Sequence, residues 1–252
     1  PASSAPAAPA PGAARPAPAG PGQSIPLTRM RRIIAERMAL STSTIPQFRV
    51  TREVDLTRTL AVREALLPLQ VKLSLTDLLI QACALTLVAQ PNANASFVPG
   101  PTPADAAIQQ HDQVNIGLAV ALDDGLVVPV VAGADRLSLL GIAREREALV
   151  QAARSGKLSP AQLQGGTFTI SNLGAYGVDS FDAIINPPEA AILAVGQVVR
   201  KPVVTAEGAV EVRPMLSLTL TCDHRVLDGA AAARLLGSLA DRLQLADQYR
   251  LA

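Results

Sequence analysis

Tryptophan is absent from this chain, and four Phe and two Tyr supply all its aromatic side chains. A core without large rings must be built from Leu, Val, Ile and Ala. Few residues are left on which nucleic-acid bases could stack. Neither sign of charge is in excess: 22 Lys and Arg face 21 Asp and Glu, a formal net charge of +1. That balance carries no electrostatic footprint for nucleic acid or for an acidic surface. Cysteine is scarce, and Cys83 and Cys222 each sit in an apolar run. They suggest no disulfide framework and fit a reducing compartment. No apolar run reaches the roughly 18 residues of a membrane span. The first residues also lack the charged-then-apolar pattern of a signal peptide. Histidine is as scarce as cysteine, with only His111 and His224, so near-neutral proton transfer has few candidates.

The chain is organised around Leu218 to Gly229, LTLTCDHRVLDG. Leu216, Leu218 and Leu220, with Thr219 and Thr221 between them, predict a buried strand. The strand breaks into Asp223-His224-Arg225-Val226-Leu227-Asp228-Gly229, and an Ala-rich helix is expected from Ala230 to about Leu245. An imidazole where a strand ends and a helix begins is well placed for chemistry, since loops on a rigid scaffold carry function. The plain alternative is a core histidine satisfied by backbone. Against it stand three charges around one imidazole, Asp223, Arg225 and Asp228, because buried charges must be paired.

Pro1 to Gly22 is low-complexity Ala/Pro sequence. Residues 1–23 are read as an extended, semi-rigid tether to further modules upstream, and 24–252 as one folded domain. Met30, Ile33, Ile34 and Met38 recur at helical spacing, with Arg29, Arg31, Arg32 and Arg37 mostly off that stripe. Those arginines form a solvated face, or else a surface for phosphate or a neighbouring subunit. Phe48 to Val54 alternates as a strand, and Asp55 caps a helix to about Leu67. Ser74-Leu75-Thr76-Asp77 resembles a capping box opening a helix apolar on nearly all sides, which Pro91 ends. Val114 to Leu122 and Leu126 to Val131 predict a hairpin around Asp124-Gly125, buried on both faces. Ser138 to about Ser155 reads as a helix ending at Gly156, followed by a short one at Ser159-Pro160. Gly165 to Gly174 is a strand entering a Gly-rich bend, Ile184 to Pro188 a turn, and Ala190 to Val199 another strand. One α/β domain around a mixed sheet flanked by helices accounts for these elements.

No phosphate loop or dinucleotide fingerprint is present, since GGTFTISNLG lacks the Gly-Lys-Ser/Thr ending. Metal is not expected: His111 and Cys83 are isolated, and Cys222 with His224 cannot complete a tetrahedral set. Cys222 and His224 would share a face if the strand continued through them, which makes a Cys-His nucleophile conceivable. A cysteine ending a core strand is more often a small hydrophobe. The better pairing is His224 with Ser171, both at the ends of predicted strands. Ser171 lacks the Gly-x-Ser-x-Gly elbow of a hydrolase nucleophile, which favours a donor role without settling it.

Five stretches in order, PLTRMRRIIAERM, VNIGLAVALDDGLVVPVV, GGTFTISNLG, FDAIINPPEAAILAVG and DHRVLDG, together resemble the catalytic domain of dihydrolipoamide acyltransferases. These are the E2 cores of 2-oxo acid dehydrogenase complexes. The resemblance runs from about Ser24 to the C-terminus and is closest to the pyruvate branch, with the branched-chain and 2-oxoglutarate types behind it. It implies a CoA-dependent acyltransferase fold like chloramphenicol acetyltransferase, built as trimers with the active site between subunits. It further implies that His224 is the general base on a thiol of CoA or dihydrolipoamide, and that the thiolate attacks the other partner's thioester without an acyl-enzyme. Ser171 would donate to the oxyanion, Asp228 would hold the site's geometry, and Asn172 and Gly196 would lie near bound coenzyme A. The lipoyl group would ride on a domain outside this chain, and upstream modules would recruit lipoyl domains and the E1 and E3 components. The location implied is the cytoplasm, or the mitochondrial matrix in a eukaryote. The chemistry is reasonable, since a thiol of pKa near 8.5 needs only a modest base such as an imidazole near 6.5. One oxyanion donor is worth about 3 kcal/mol. Two other readings are a non-catalytic core subunit on this fold and a stand-alone CoA-dependent acyltransferase acting on a small alcohol or amine.

Overall fold

The computed structural model describes residues 22, 24–66 and 73–251. The Ala/Pro tether expected at the N-terminus lies almost wholly outside them. Helix α1 (Arg29–Thr44) opens at Thr28, whose hydroxyl accepts from the Arg31 N–H at 3.2 Å. Strand β1 (Gln47–Asp55) follows, then α2 (Thr57–Leu66). Asp55 receives the Thr57 N–H at 2.8 Å, so it satisfies an orphan donor of α2 from just outside the helix. The expected capping box of α3 (Leu75–Ala89) is present in both directions between Ser74 and Asp77. Nearly every residue of α3 from Asp77 to Leu87 is buried.

Two short strands not anticipated from the sequence, β2 (Ala95–Val98) and β3 (Ala107–Gln110), form a small antiparallel sheet of their own. Strand β4 (Ile116–Leu118) enters the main sheet. Strands β5 (Val120–Leu122) and β6 (Gly125–Val127) form the tip of the expected hairpin, and β7 (Val130–Val131) returns to the main sheet beside β4. The expectation of burial on both faces holds at this hairpin's base, where Ile116, Leu118 and Val131 are buried. It fails at the tip, where the β5–β6 ribbon leaves the sheet and Leu126 is exposed. Met30 and Ile34 of α1 pack beside Gly125 there, and Arg31 pairs with Asp124 at 3.5 Å.

Helix α4 (Leu139–Arg154) is capped by Ser138, which accepts from the Gly141 N–H. Strands β8 (Phe168–Asn172), β9 (Ala191–Val204) and β10 (Val210–Asp223) and helix α5 (Gly229–Leu245) complete the chain. The main sheet runs β1-β10-β9-β8-β4-β7. It is mixed, with β8 parallel to both β4 and β9 and the other pairs antiparallel.

Strand alternation gives this sheet two different faces. Phe168, Ile170, Leu193, Val195, Leu218, Leu220 and Cys222 join one core cluster with Leu79, Cys83 and Leu87 of α3 and Leu235, Leu236 and Leu239 of α5. Burying those side chains drives the fold, at about 1.5–3 kcal/mol for each large aliphatic one. The alternate positions carry Thr169, Ser171, Thr219 and Thr221, with Ile192 level with Thr169 and Thr221. Ile45, Ile185 and Ile192 cluster on this second face, and the Ser41 hydroxyl donates to the Ile185 carbonyl at 2.7 Å. Beyond Arg200 on β9, the β9–β10 ribbon runs on without other strands, and its Val204, Val210 and Val212 are exposed.

Candidate active site

Asp223 ends β10 fully buried and accepts a three-point fork from Arg225, from its N–H and Nε at 2.9 Å and its Nη2 at 2.7 Å. The Arg225 guanidinium lies 4.0 Å over the Phe97 ring, a partly buried cation–π contact that ties the turn to β2. The N–H groups of Val226 and Leu227 both return to the Asp223 carbonyl. His224 is therefore carried by a rigid turn. Its own N–H donates to the Pro46 carbonyl at 2.9 Å, its ring tilts against Phe48 with centroids 4.6 Å apart, and its side chain is exposed. The core-histidine alternative fails on that exposure.

The three nearby charges do a different job from the one their density suggested. Asp223 and Arg225 neutralise each other. Asp228 is the N-cap of α5, accepting the Ala231 N–H at 2.6 Å. Among the described residues, none of the three hydrogen-bonds the imidazole. They build the frame that presents it.

Ser171, Asn172 and Gly196 lie together elsewhere, in the wall of a cleft of about 540 Å³ between the end of β8, the middle of β9, the β4–β5 segment and α4. That volume is within the usual range of a small-molecule site. The Asn172 amide is largely committed to structure: its oxygen accepts the Gly174 N–H at 2.9 Å and its nitrogen donates to Thr76 at 3.3 Å. Gly196 has a plain packing reason as well, because a Cβ there would overlap the Asp179 carbonyl oxygen. Ser171 is half-buried, and its hydroxyl has no hydrogen-bond partner among the described residues.

One chain does not bring Ser171 and His224 together. Ser171 pairs with Ala194, which pairs with Thr219, and His224 lies five residues beyond Thr219. Two strand spacings and five residues of strand put their backbones roughly 20 Å apart. Cys222 is no substitute nucleophile, since it is fully buried and burial pushes its thiol up to about 12. His111 is less isolated than the sequence suggested: its Nε2 is 2.8 Å from the hydroxyl of Ser96, a buried residue of β2. No cluster of three or more His, Cys, Asp or Glu capable of holding a metal occurs among the described residues.

Sequence reasoning missed two cleft residues, Arg146 and Arg154. With Val150 they follow the i, i+4, i+8 spacing of one helical face, a signal that reads equally well as ordinary surface charge.

The sequence matches the family model of the 2-oxoacid dehydrogenases acyltransferase catalytic domain over residues 19–251. It is 38% identical over 217 residues to the dihydrolipoyllysine-residue acetyltransferase component of the pyruvate dehydrogenase complex of Rickettsia conorii, an alignment covering 84% of this chain and 51% of that protein. The chain thus spans about half the length of the curated relatives it matches. The Azotobacter vinelandii dihydrolipoamide acetyltransferase superposes with a TM-score of 0.83 at 38% identity, over 91% of this chain and 97% of that one. That structure belongs to a study of the role of a serine, a histidine and an asparagine in its catalytic mechanism. The cubic core of a pyruvate dehydrogenase multienzyme complex superposes equally well, with a TM-score of 0.83, 38% identity and the same coverage. Chloramphenicol acetyltransferase, at 13% identity and a TM-score of 0.53 over 82% of this chain and 94% of its own, shares the fold.

Proposed function

The chain belongs to the family of 2-oxoacid dehydrogenase acyltransferase catalytic domains, and on that premise we propose that it transfers an acetyl group between the dihydrolipoamide thiol and coenzyme A within the core of a pyruvate dehydrogenase complex. The observation that carries this reading is an exposed imidazole on a rigid turn, His224, together with a hydroxyl in a cleft wall, Ser171, that has no hydrogen-bond partner among the described residues. His224 takes the proton from the attacking thiol, and the thiolate adds to the thioester carbonyl. Ser171 donates to the oxygen that becomes negative, and Asp228 fixes the start of α5 behind the histidine turn. Collapse expels the second thiolate, which takes from the imidazolium the proton that the attacking thiol gave up. No acyl-enzyme forms. Ser171, Asn172 and Gly196 line the coenzyme A side, and the lipoyl group arrives on a separate domain.

A separation of roughly 20 Å within one chain supports a site completed by a neighbour, His224 of one subunit facing Ser171 of the next. The likeness to a cubic core supports the same arrangement, because every cubic point group contains threefold axes. Trimers, and a higher assembly of them, are the proposed state. The test is acetyl transfer from acetyl-CoA to dihydrolipoamide by the purified chain, measured as thioester formed. Thioester formation that disappears in His224→Ala is expected. A parent chain without activity at any substrate concentration would remove the proposal.

A further inference from the structure

The cleft that holds Ser171 is polarised. Among the described residues its only charged lining side chains are Arg146 and Arg154, and no carboxylate lines it. Both arginines project from α4 with Val150 between them, and two helical turns set their backbones about 12 Å apart. Arg146 is not a loose surface side chain. Its Nε donates to Asp77 Oδ1 at 2.5 Å, and Asp77 is fully buried. The other oxygen of that carboxylate closes the α3 capping box on Ser74. Thr76, next to Asp77, takes the amide of Asn172, so one run of contacts joins Arg146 to the loop after Ser171. The guanidinium has five donors in a fixed fork, and Asp77 occupies the Nε edge. The remaining donors have no hydrogen-bond partner among the described residues.

An arginine ordered by a buried carboxylate and facing a cleft without acids is a site for an anion. The two proposed thiol substrates differ in this respect. Dihydrolipoamide is neutral around its thiols, whereas coenzyme A carries a diphosphate and a 3′-phosphate. We propose that Arg146, assisted by Arg154, binds the phosphates of coenzyme A, and that Asp77 is the positioning residue that aims Arg146. This inference rests on the acyl-transfer reading of the Ser171 cleft and adds which residues hold the phosphates of coenzyme A there.

The experiment compares coenzyme A with pantetheine, which has the same thiol arm and no diphosphate or 3′-phosphate. With S-acetyl-dihydrolipoamide as donor, Arg146→Gln should raise KM for coenzyme A roughly 10- to 100-fold, the scale of a lost hydrogen bond to a charged group. The kcat should stay near that of the parent, and KM for pantetheine should not move. Arg154→Gln should act in the same direction, and Arg146→Lys, which keeps the charge without the fork, should fall between parent and Gln variant. Asp77→Asn should raise KM for coenzyme A and leave pantetheine unchanged, a split that damaged folding would not produce. Equilibrium titration with coenzyme A alone gives the same ranking without turnover. It therefore separates this inference from the acyl-transfer reading should the parent prove inactive. Unchanged coenzyme A affinity in Arg146→Gln, or an equal loss with pantetheine, overturns the proposal.

Discussion

At the scale of single residues, His224 and Ser171 have separable roles. His224→Ala should lower kcat by about 10²–10⁴ with little change in KM for coenzyme A. Ser171→Ala should cost about 10²–10³ in kcat. Mass spectrometry of the parent with acetyl-CoA should find no acetylated enzyme. A trapped acetyl-serine or acetyl-cysteine would refute direct transfer. Glu189 gives an independent expectation. Burial pushes its carboxyl up from 4.5 to about 7, with Oε1 held by Asn186 at 3.0 Å and Oε2 unpartnered among the described residues. A folded-state pKa above the unfolded one means the folded chain holds the extra proton. The stabilisation is therefore full below about 4.5 and is lost as pH rises through about 7. Glu189→Gln should flatten this dependence and raise the melting temperature at and above neutral pH. A parent chain equally stable at pH 5 and pH 8 would contradict the sign.

At the scale of elements, the legible features were those with local causes. The Ser74–Asp77 capping box, the helix from Ser138, the hairpin and the apolar stretch of α3 each specify structure through neighbours in sequence and were found, with the hairpin bend itself at Asp123-Asp124 and Gly125 already in β6. The β2–β3 pair was not, because its four-residue strands expose Ile108 and Val98 and lack a clean alternation. Strand β9 runs past the end expected at Val199, since the outer half of the β9–β10 ribbon contains Pro202 and Pro214 and exposes Val204, Val210 and Val212, leaving no buried face to signal it. At the site, the histidine turn was legible and the use of its charges was not. Asp223 and Arg225 could be assigned to each other only once Phe97, more than a hundred residues away, was seen beneath the guanidinium. The Asp77–Arg146 pair was hidden for the same reason. Asp228 tests the distinction between frame and chemistry. Asp228→Ala should destabilise by about 1 kcal/mol through loss of the α5 cap, and Asp228→Asn, which still caps, should recover most of it. Leu239→Ala, on the buried stripe of the same helix, should cost about 2–5 kcal/mol. Chemical denaturation measures all three.

At the scale of the whole molecule, exposed apolar groups gather where the chain alone offers nothing to cover them. Ile25, Leu27, Ile33 and Leu40 on and before α1 are exposed, as is Leu126 at the hairpin tip that α1 touches. Several exposed large apolar side chains on one helix and its neighbouring hairpin point to an interface. Sedimentation should give a mass that is a multiple of three chains, and Ile33→Glu should shift it toward smaller species. A particle unaffected by that change would remove α1 from the contact.

The distance between Ser171 and His224 also makes the two residues genetically separable. If each site draws its hydroxyl from one chain and its imidazole from another, a chain with Ser171→Ala still lends a sound histidine to its neighbour. A chain with His224→Ala likewise still lends a sound serine. Two inactive proteins, unfolded together and allowed to reassemble at equal amounts, should then complement each other and restore about one quarter of the sites under random mixing. The same two substitutions placed in a single chain and mixed with nothing should stay silent. Activity that never returns in the mixed particles would mean that each chain builds its site alone.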